Sequence, residues 1–145
     1  MKFFYKWLKN LLRTNETDVE GSRVFEGIFV AKVLNYKKHP NADRLRVVDL
    51  DLGKDNVIAP VVCGASNFEI SDMVILALPG AVIPHNQHDP EAKPLTLEKA
   101  IIRGVESQGM ICSGKELGLS DDGNGILVLK NSRQFLGQKF NSNMD

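Results

Sequence analysis

Within Leu45-Arg46-Val47-Val48-Asp49-Leu50-Asp51-Leu52 the apolar side chains change phase. Leu45 and Val47 fall on one face of an extended chain, whereas Val48, Leu50 and Leu52 fall on the other. Side chains alternate strictly along a regular strand, so a slip of one residue signals a bulge or a sharp coil. Such irregularities gather where a sheet closes into a small barrel.

Reading outward, Ile28 to Leu34 is rich in Val and Ile and lacks proline, which predicts a preceding strand. Val57 to Val62 and Met73 to Leu78 predict two more, with Pro60 placing the first at an edge or a bulge. Leu95, Leu97 and Ile101 alternate on a further strand, and Ile126 to Leu129 forms a last short one. Ser113 with Glu116 is a capping-box pattern, and Gly118 is a natural stop, so a short helix is expected over 114–117. Short strands, Gly/Pro turns and almost no helix indicate a mainly β domain, a small barrel or sandwich. Five principal strands with short additions suit an OB-fold, a small Greek-key β-barrel. Residues 84–94, proline-rich and polar, read as an exposed hairpin loop.

Upstream, Phe4, Trp7, Leu8, Leu11 and Leu12 form one apolar stripe of an amphipathic helix over 3–12. Lys2, Lys6, Lys9 and Arg13 line its other side. Such a helix packs on its own domain or a partner; at only about three turns it is not expected to lie on a membrane surface. Residues 14–23 are polar and read as a linker. The expected division is 1–23, helix and linker, and 24–145, barrel.

The chain has 145 residues, enough for one domain with a modest core. No run of 18 apolar residues is present, and Lys6 and Lys9 interrupt any signal-peptide core. Two cysteines make no disulfide framework, so Cys63 and Cys112 read as small buried thiols in a reducing, cytoplasmic setting. Basic and acidic residues balance at 18 each, unlike a strong non-specific nucleic-acid binder. Their distribution is uneven. Residues 30–46 carry Lys32, Lys37, Lys38, Arg44 and Arg46 against Asp43, while 49–72 carry Asp49, Asp51, Asp55, Glu69 and Asp72 against Lys54. Such segregation makes either a local basic patch or a solvated surface of mixed charge.

Two segments carry most of the remaining information. His39-Pro40-Asn41-Ala42-Asp43-Arg44-Leu45 is first a turn: Pro40 disfavours helix at His39, and Asn41 and Asp43 can satisfy local backbone groups. The same turn would present Lys37, Lys38 and Arg44 at a barrel mouth, where OB-folds meet nucleic acid. Arg103-Gly104-Val105-Glu106-Ser107-Gln108-Gly109-Met110-Ile111-Cys112 is the second. Gly104 and Gly109 permit tight backbone geometry, with Val105 and Met110 as core candidates. Arg103 suits phosphate, and Ser107 and Gln108 suit phosphate or base. Tyr36 is the best stacking candidate among few aromatics, which favours folded RNA read by shape over single strands. His85, His88 and Asp89 invite a metal reading, but a structural zinc site wants four ligands, usually with Cys, and no CxxC is present. No metal is expected, and no P-loop, nucleotide-binding glycine pattern, HExxH or nucleophile elbow appears.

Taken in order, these two segments with Val62-Cys63-Gly64-Ala65-Ser66-Asn67, Ala77-Leu78-Pro79-Gly80-Ala81 and Lys115-Glu116-Leu117-Gly118-Leu119-Ser120 resemble the tRNA-binding domain of the bacterial phenylalanine–tRNA ligase β subunit and of free-standing tRNA-binding proteins. The resemblance runs from about Phe25 to Leu129, and Met1 to Lys9 resembles the start of that β subunit. It implies a non-catalytic OB-fold module whose tRNA-facing surface adjoins the His39 turn and which supports aminoacylation of tRNA(Phe). The candidate tRNA-binding residues are Lys37, Lys38, Asn41, Arg44, Arg103, Ser107 and Gln108. The resemblance places ATP and magnesium in the parent ligase's catalytic subunit, leaving no cofactor for this chain. It implies as partners tRNA, the ligase α subunit and the rest of the β subunit. The linker before the barrel is shorter than the family's, and the family's β subunit continues for several further domains. A structural docking or homodimerisation domain that uses the Trp7 stripe is the competing reading.

Overall fold

The computed structural model describes residues 24–91, 93–130 and 133–144. The helix expected over 3–12, its apolar stripe and the linker lie outside the described residues.

Strand β1 (Val24–His39) is the spine. Its first half pairs antiparallel with β4 (Met73–Ala77), from Ile28 opposite Ala77 to Lys32 opposite Met73. Its second half pairs antiparallel with β2 (Ala42–Asp51), which in turn pairs with β3 (Val57–Cys63). One strand can serve different neighbours along its length only if it bends, and the register shifts between Val33 and Asn35. A second shift lies between β2 and β3, where Ala59 and Pro60 oppose Asp49 alone. The bulge expected within β2 is corrected: β2 runs in register across Val47 and Val48, and the extra residues sit on its two neighbours, opposite Asp49. Pro60 occupies a bulge on the outermost strand of that path, as its missing N–H requires.

Short elements complete the sheet. β9 (Met110–Ile111) and β10 (Val128–Leu129) flank β4, and β11 (Lys139–Asn141) pairs with β1. Two small hairpins stand apart: β5 (Val82–Ile83) with β6 (Leu95–Thr96), and β7 (Ala100–Ile102) with β8 (Val105–Ser107). The single strand expected through Leu95, Leu97 and Ile101 is thus corrected to pieces of two different hairpins. Single 3-10 turns follow at Arg133–Phe135 and Ser142–Met144. The free edge of β3 meets the β8–β9 segment through two hydrogen bonds: Gln108 N–H donates to Pro60 O, and Val62 N–H donates to Ser107 Oγ, both at 2.9 Å. This seam brings the sheet round into a barrel. The architecture is mainly β and antiparallel, in keeping with a small OB-like barrel.

Both faces of β1 and β4 are covered. Ala31, Val33, Val48, Leu50, Val61, Phe68, Val74 and Leu76 fill the barrel. Phe25, Ile28, Val30, Ile75, Ile83, Leu117 and Phe140 form a second cluster on the outer side of the same two strands. A strand buried on both faces needs no polar alternation. That accounts for the unbroken apolar run Met73-Val74-Ile75-Leu76-Ala77, all five residues of which are buried.

The helix expected over 114–117 is not formed. The capping box itself is present: Ser113 N–H donates to Glu116 Oε1 at 2.8 Å, and Glu116 N–H donates to Ser113 Oγ at 3.1 Å. The chain then makes consecutive turns, with Leu119 N–H on Gly114 O, and Gly118 reverses it at φ +75°. Four residues between cap and stop are too few to propagate a helix.

Candidate nucleic-acid interface

The end of β1 and the start of β2 make a hairpin around Pro40 and Asn41. His39 is 2% exposed and fixes this hairpin to the β7–β8 turn. Asn41 N–H donates to His39 Nδ1 at 2.9 Å, so the ring hydrogen resides on Nε2, which donates to Ile102 O at 2.9 Å. Asn41 Nδ2 donates to Arg103 O, also at 2.9 Å. Arg103 and Gly104 turn the chain with φ of +52° and +89°. The two sequence segments, some sixty residues apart, are therefore one spatial unit. Asn41 spends its amide on holding that unit together.

Beside it lies an open groove of about 560 Å³, lined by Tyr36, Lys37 and Lys38 from β1, Arg44 and Arg46 from β2, and the Gly64–Ser66 segment after β3. Lys37, Lys38 and Arg44 are exposed. Lys38 approaches Asp43 at 3.3 Å, but both side chains are solvated, so the pair binds weakly and leaves the lysine available. Among the described residues no ion pair engages Lys37, Arg44 or Arg103.

Arg46 behaves differently from its neighbour Arg44. Its guanidinium lies 4.0 Å from the Tyr36 ring centroid and 4.8 Å from that of Phe68, and Nη1 donates to Phe68 O at 3.0 Å. Tyr36 OH donates to Glu69 Oε1 at 2.9 Å, and that bond, with burial and the nearby carboxylate, raises the phenol pKa. One face of the candidate stacking ring is thus already taken by Arg46, which fixes the groove wall. Sequence reasoning saw Arg46 only as one more positive charge. Its alternation with Arg44 put both on one face, and the rings that capture it are brought by separate elements.

Ser107 and Gln108 do not line the groove. Ser107 is 3% exposed; its hydroxyl accepts from Val62 N–H and donates to Gly109 O at 2.8 Å. Gln108 is half-buried at the seam, with its side-chain amide 3.5 Å from Glu106. Gly109 is required by crowding: a Cβ there would stand 2.7 Å from Ala77 O. Cys63 and Cys112 are free, buried thiols, both raised in pKa chiefly by burial. The 84–94 segment is a hairpin loop but is tied down: His85 N–H donates to Glu116 O, and Gln87 Nε2 donates to Ser113 Oγ at 3.0 Å. No group of three His, Cys, Asp or Glu gathers to hold a metal among the described residues. No helix among them is long and apolar enough to cross a membrane.

Residues 28–137 match the family described as "Putative tRNA binding domain". The chain belongs to that family. The match takes in both stitched segments and every groove residue, so this tRNA-binding domain carries its charged groove and its seam within the family's common region. The phenylalanine–tRNA ligase β subunit of Novosphingobium aromaticivorans is 40% identical over 146 residues, covering 89% of this chain and 17% of that protein. The β subunit of Cupriavidus pinatubonensis is 47% identical over 105 residues, covering 72% of this chain and 12% of that protein. The β subunit of Bdellovibrio bacteriovorus is 42% identical over the same length. The tRNA-binding domain thus spans less than a fifth of the length of these relatives.

Proposed function

We propose that the chain is a non-catalytic tRNA-binding module of phenylalanine–tRNA ligase β-subunit type, which supports aminoacylation of tRNA(Phe) in the cytoplasm. Lys37, Lys38 and Arg44 contact phosphates along the groove, and Arg103 extends the contact from the adjoining turn. Asn41 contributes by holding the turns together, and Ser107 and Gln108 by closing the barrel beneath them. The observation that carries this reading is the His39–Asn41 staple, which sets two family segments and their exposed cations side by side. Partners in this reading are tRNA, the ligase α subunit and the rest of the β subunit, and the reaction with ATP and magnesium belongs to that assembly.

The test is a titration with folded tRNA at roughly 50 and 200 mM salt, with duplex DNA as competitor. Four phosphate contacts predict an affinity loss of about 50- to 150-fold between the two salts. Replacing Lys37, Lys38 and Arg44 together by Ala should weaken binding at low salt and reduce the salt slope by about two to three units. An unchanged affinity in the triple variant would sink the reading.

A further inference from the structure

A second open cavity, of about 400 Å³, adjoins the groove, and Gly64 and Ala65 line both. That volume is in the range of ligand pockets, roughly 300–1,000 Å³. Val62, Ile102, Met110, Ile111 and Ile126 supply its apolar lining, and Gln87, His88, Ser113 and Asn124 add polar groups. At its polar end stands Glu116, 8% exposed. Only half of that carboxylate is used. Oε1 accepts from Ser113 N–H at 2.8 Å and from Ser113 Oγ–H at 3.1 Å, while Oε2 takes no hydrogen bond or ion pair from any described residue. Ser113 Oγ has nothing left to offer it, since it also accepts from Gln87 Nε2 and Glu116 N–H. A buried acceptor without a donor is costly, and this one lines an opening sized for a ligand.

We infer that this cavity receives an unstacked, amino-bearing nucleobase, guanine above all, whose N–H edge donates to Glu116 Oε2. The inference rests on the groove reading and deepens it: the phosphates follow Lys37 and Arg44 while one base crosses the Gly64–Ala65 wall. A flat base fits against the apolar side chains, and Glu116 Oε2 is the acceptor there without a donor of its own. Guanine offers two adjacent donors, N1–H and N2–H₂, on its Watson–Crick edge, the edge that single-stranded recognition reads. Uracil turns carbonyl oxygens on either side of its one N–H toward the carboxylate. A Lys or Arg side chain of a protein partner would also satisfy Oε2, but Lys37, Lys38 and Arg44 in the adjoining groove favour an anionic ligand such as a nucleotide.

The experiment is an NMR titration of the whole chain with guanosine 5′-monophosphate and, separately, uridine 5′-monophosphate. The methyl signals of Ile102, Ile111 and Ile126 are the readout. Guanosine monophosphate should shift them saturably and bind about tenfold more tightly than uridine monophosphate. Glu116→Gln keeps an acceptor for Ser113 and exchanges the free acceptor for a donor, so it should erase the difference. No saturable shift, an equal response to both nucleotides, or a preference surviving in a folded E116Q protein would overturn the inference. If E116Q does not fold, the comparison of the two nucleotides on the unaltered chain decides alone. Running the tRNA titration in parallel separates the two readings. Salt-sensitive tRNA binding with a silent cavity overturns only the base site, whereas guanosine-selective shifts without tRNA binding overturn the groove.

Discussion

The hydroxyl of Ser107 does its bonding inside the protein, as acceptor for Val62 N–H and donor to Gly109 O. Ser107→Ala leaves a buried N–H without a partner, and urea unfolding should show a loss of about 1–3 kcal/mol. The salt slope of tRNA binding should not change, which separates this residue from Lys37 and Arg44. The thiols give a pH signature. Cys63 and Cys112 have folded pKa values above the ordinary 9.0, because burial penalises the thiolate and the Glu116 carboxylate adds to it. The folded state therefore holds these protons more tightly than the unfolded chain. Their contribution to stability is fully present below pH 9.0 and falls as pH rises above it. Denaturant midpoints at about pH 8 and pH 10 should differ, and Cys112→Ala should lessen the drop. A fall of the same size in the variant would count against this account.

At the scale of the elements, the long strands were legible because burial imposes a pattern on seven or more residues, but the change of phase at Val47 and Val48 reflects burial of both residues in a strand that stays in register, not a bulge in β2. The pieces from β5 to β11 are two or three residues long, too short for a period to register, and of them only β10 is marked as a strand of its own, by the apolar run Ile126 to Leu129. Their existence depends on what they pair with, and the sequence carries that only as scattered glycines and capping residues. The same limit explains the missing helix at 114–117: a capping box is a local signal, whereas propagation depends on length. The basic half of the candidate site could be read from Lys37, Lys38 and Arg44. The different fates of Arg44 and Arg46 could not, because Phe68 reaches Arg46 from beyond β3. Between β9 and β4 the fit is tight enough to test. Gly109→Val places a branched side chain against Ala77 O and Leu76 Cδ1. It should lower the thermal midpoint, with a loss of about 1–3 kcal/mol or more.

The whole molecule is built on a wall of two strands with apolar packing on each side. Phe140, fully buried against Phe25 with ring centroids 5.3 Å apart, joins the C-terminal strand to the outer cluster. Phe140→Ala should remove about 3–5 kcal/mol. Barrel and outer layer should still unfold in one transition, because β1 and β4 belong to both, and two resolved transitions in calorimetry would contradict this. A net charge of zero is no obstacle to a basic groove, since the fold gathers cations from β1 and β2 on one surface while the total stays balanced.

The seam between β3 and the β8–β9 segment rests on two hydrogen bonds, where the other strand pairs have ladders. A closed sheet yields where its stitching is sparsest. Deuterium exchange should therefore find the amides of Val62 and Gln108 the first of the barrel to lose protection, through a local opening well below the global unfolding free energy. Because Val62 and Met110 also line the second cavity, the same fluctuation would loosen that cavity's wall, so its shape is set by the least secured line of the barrel.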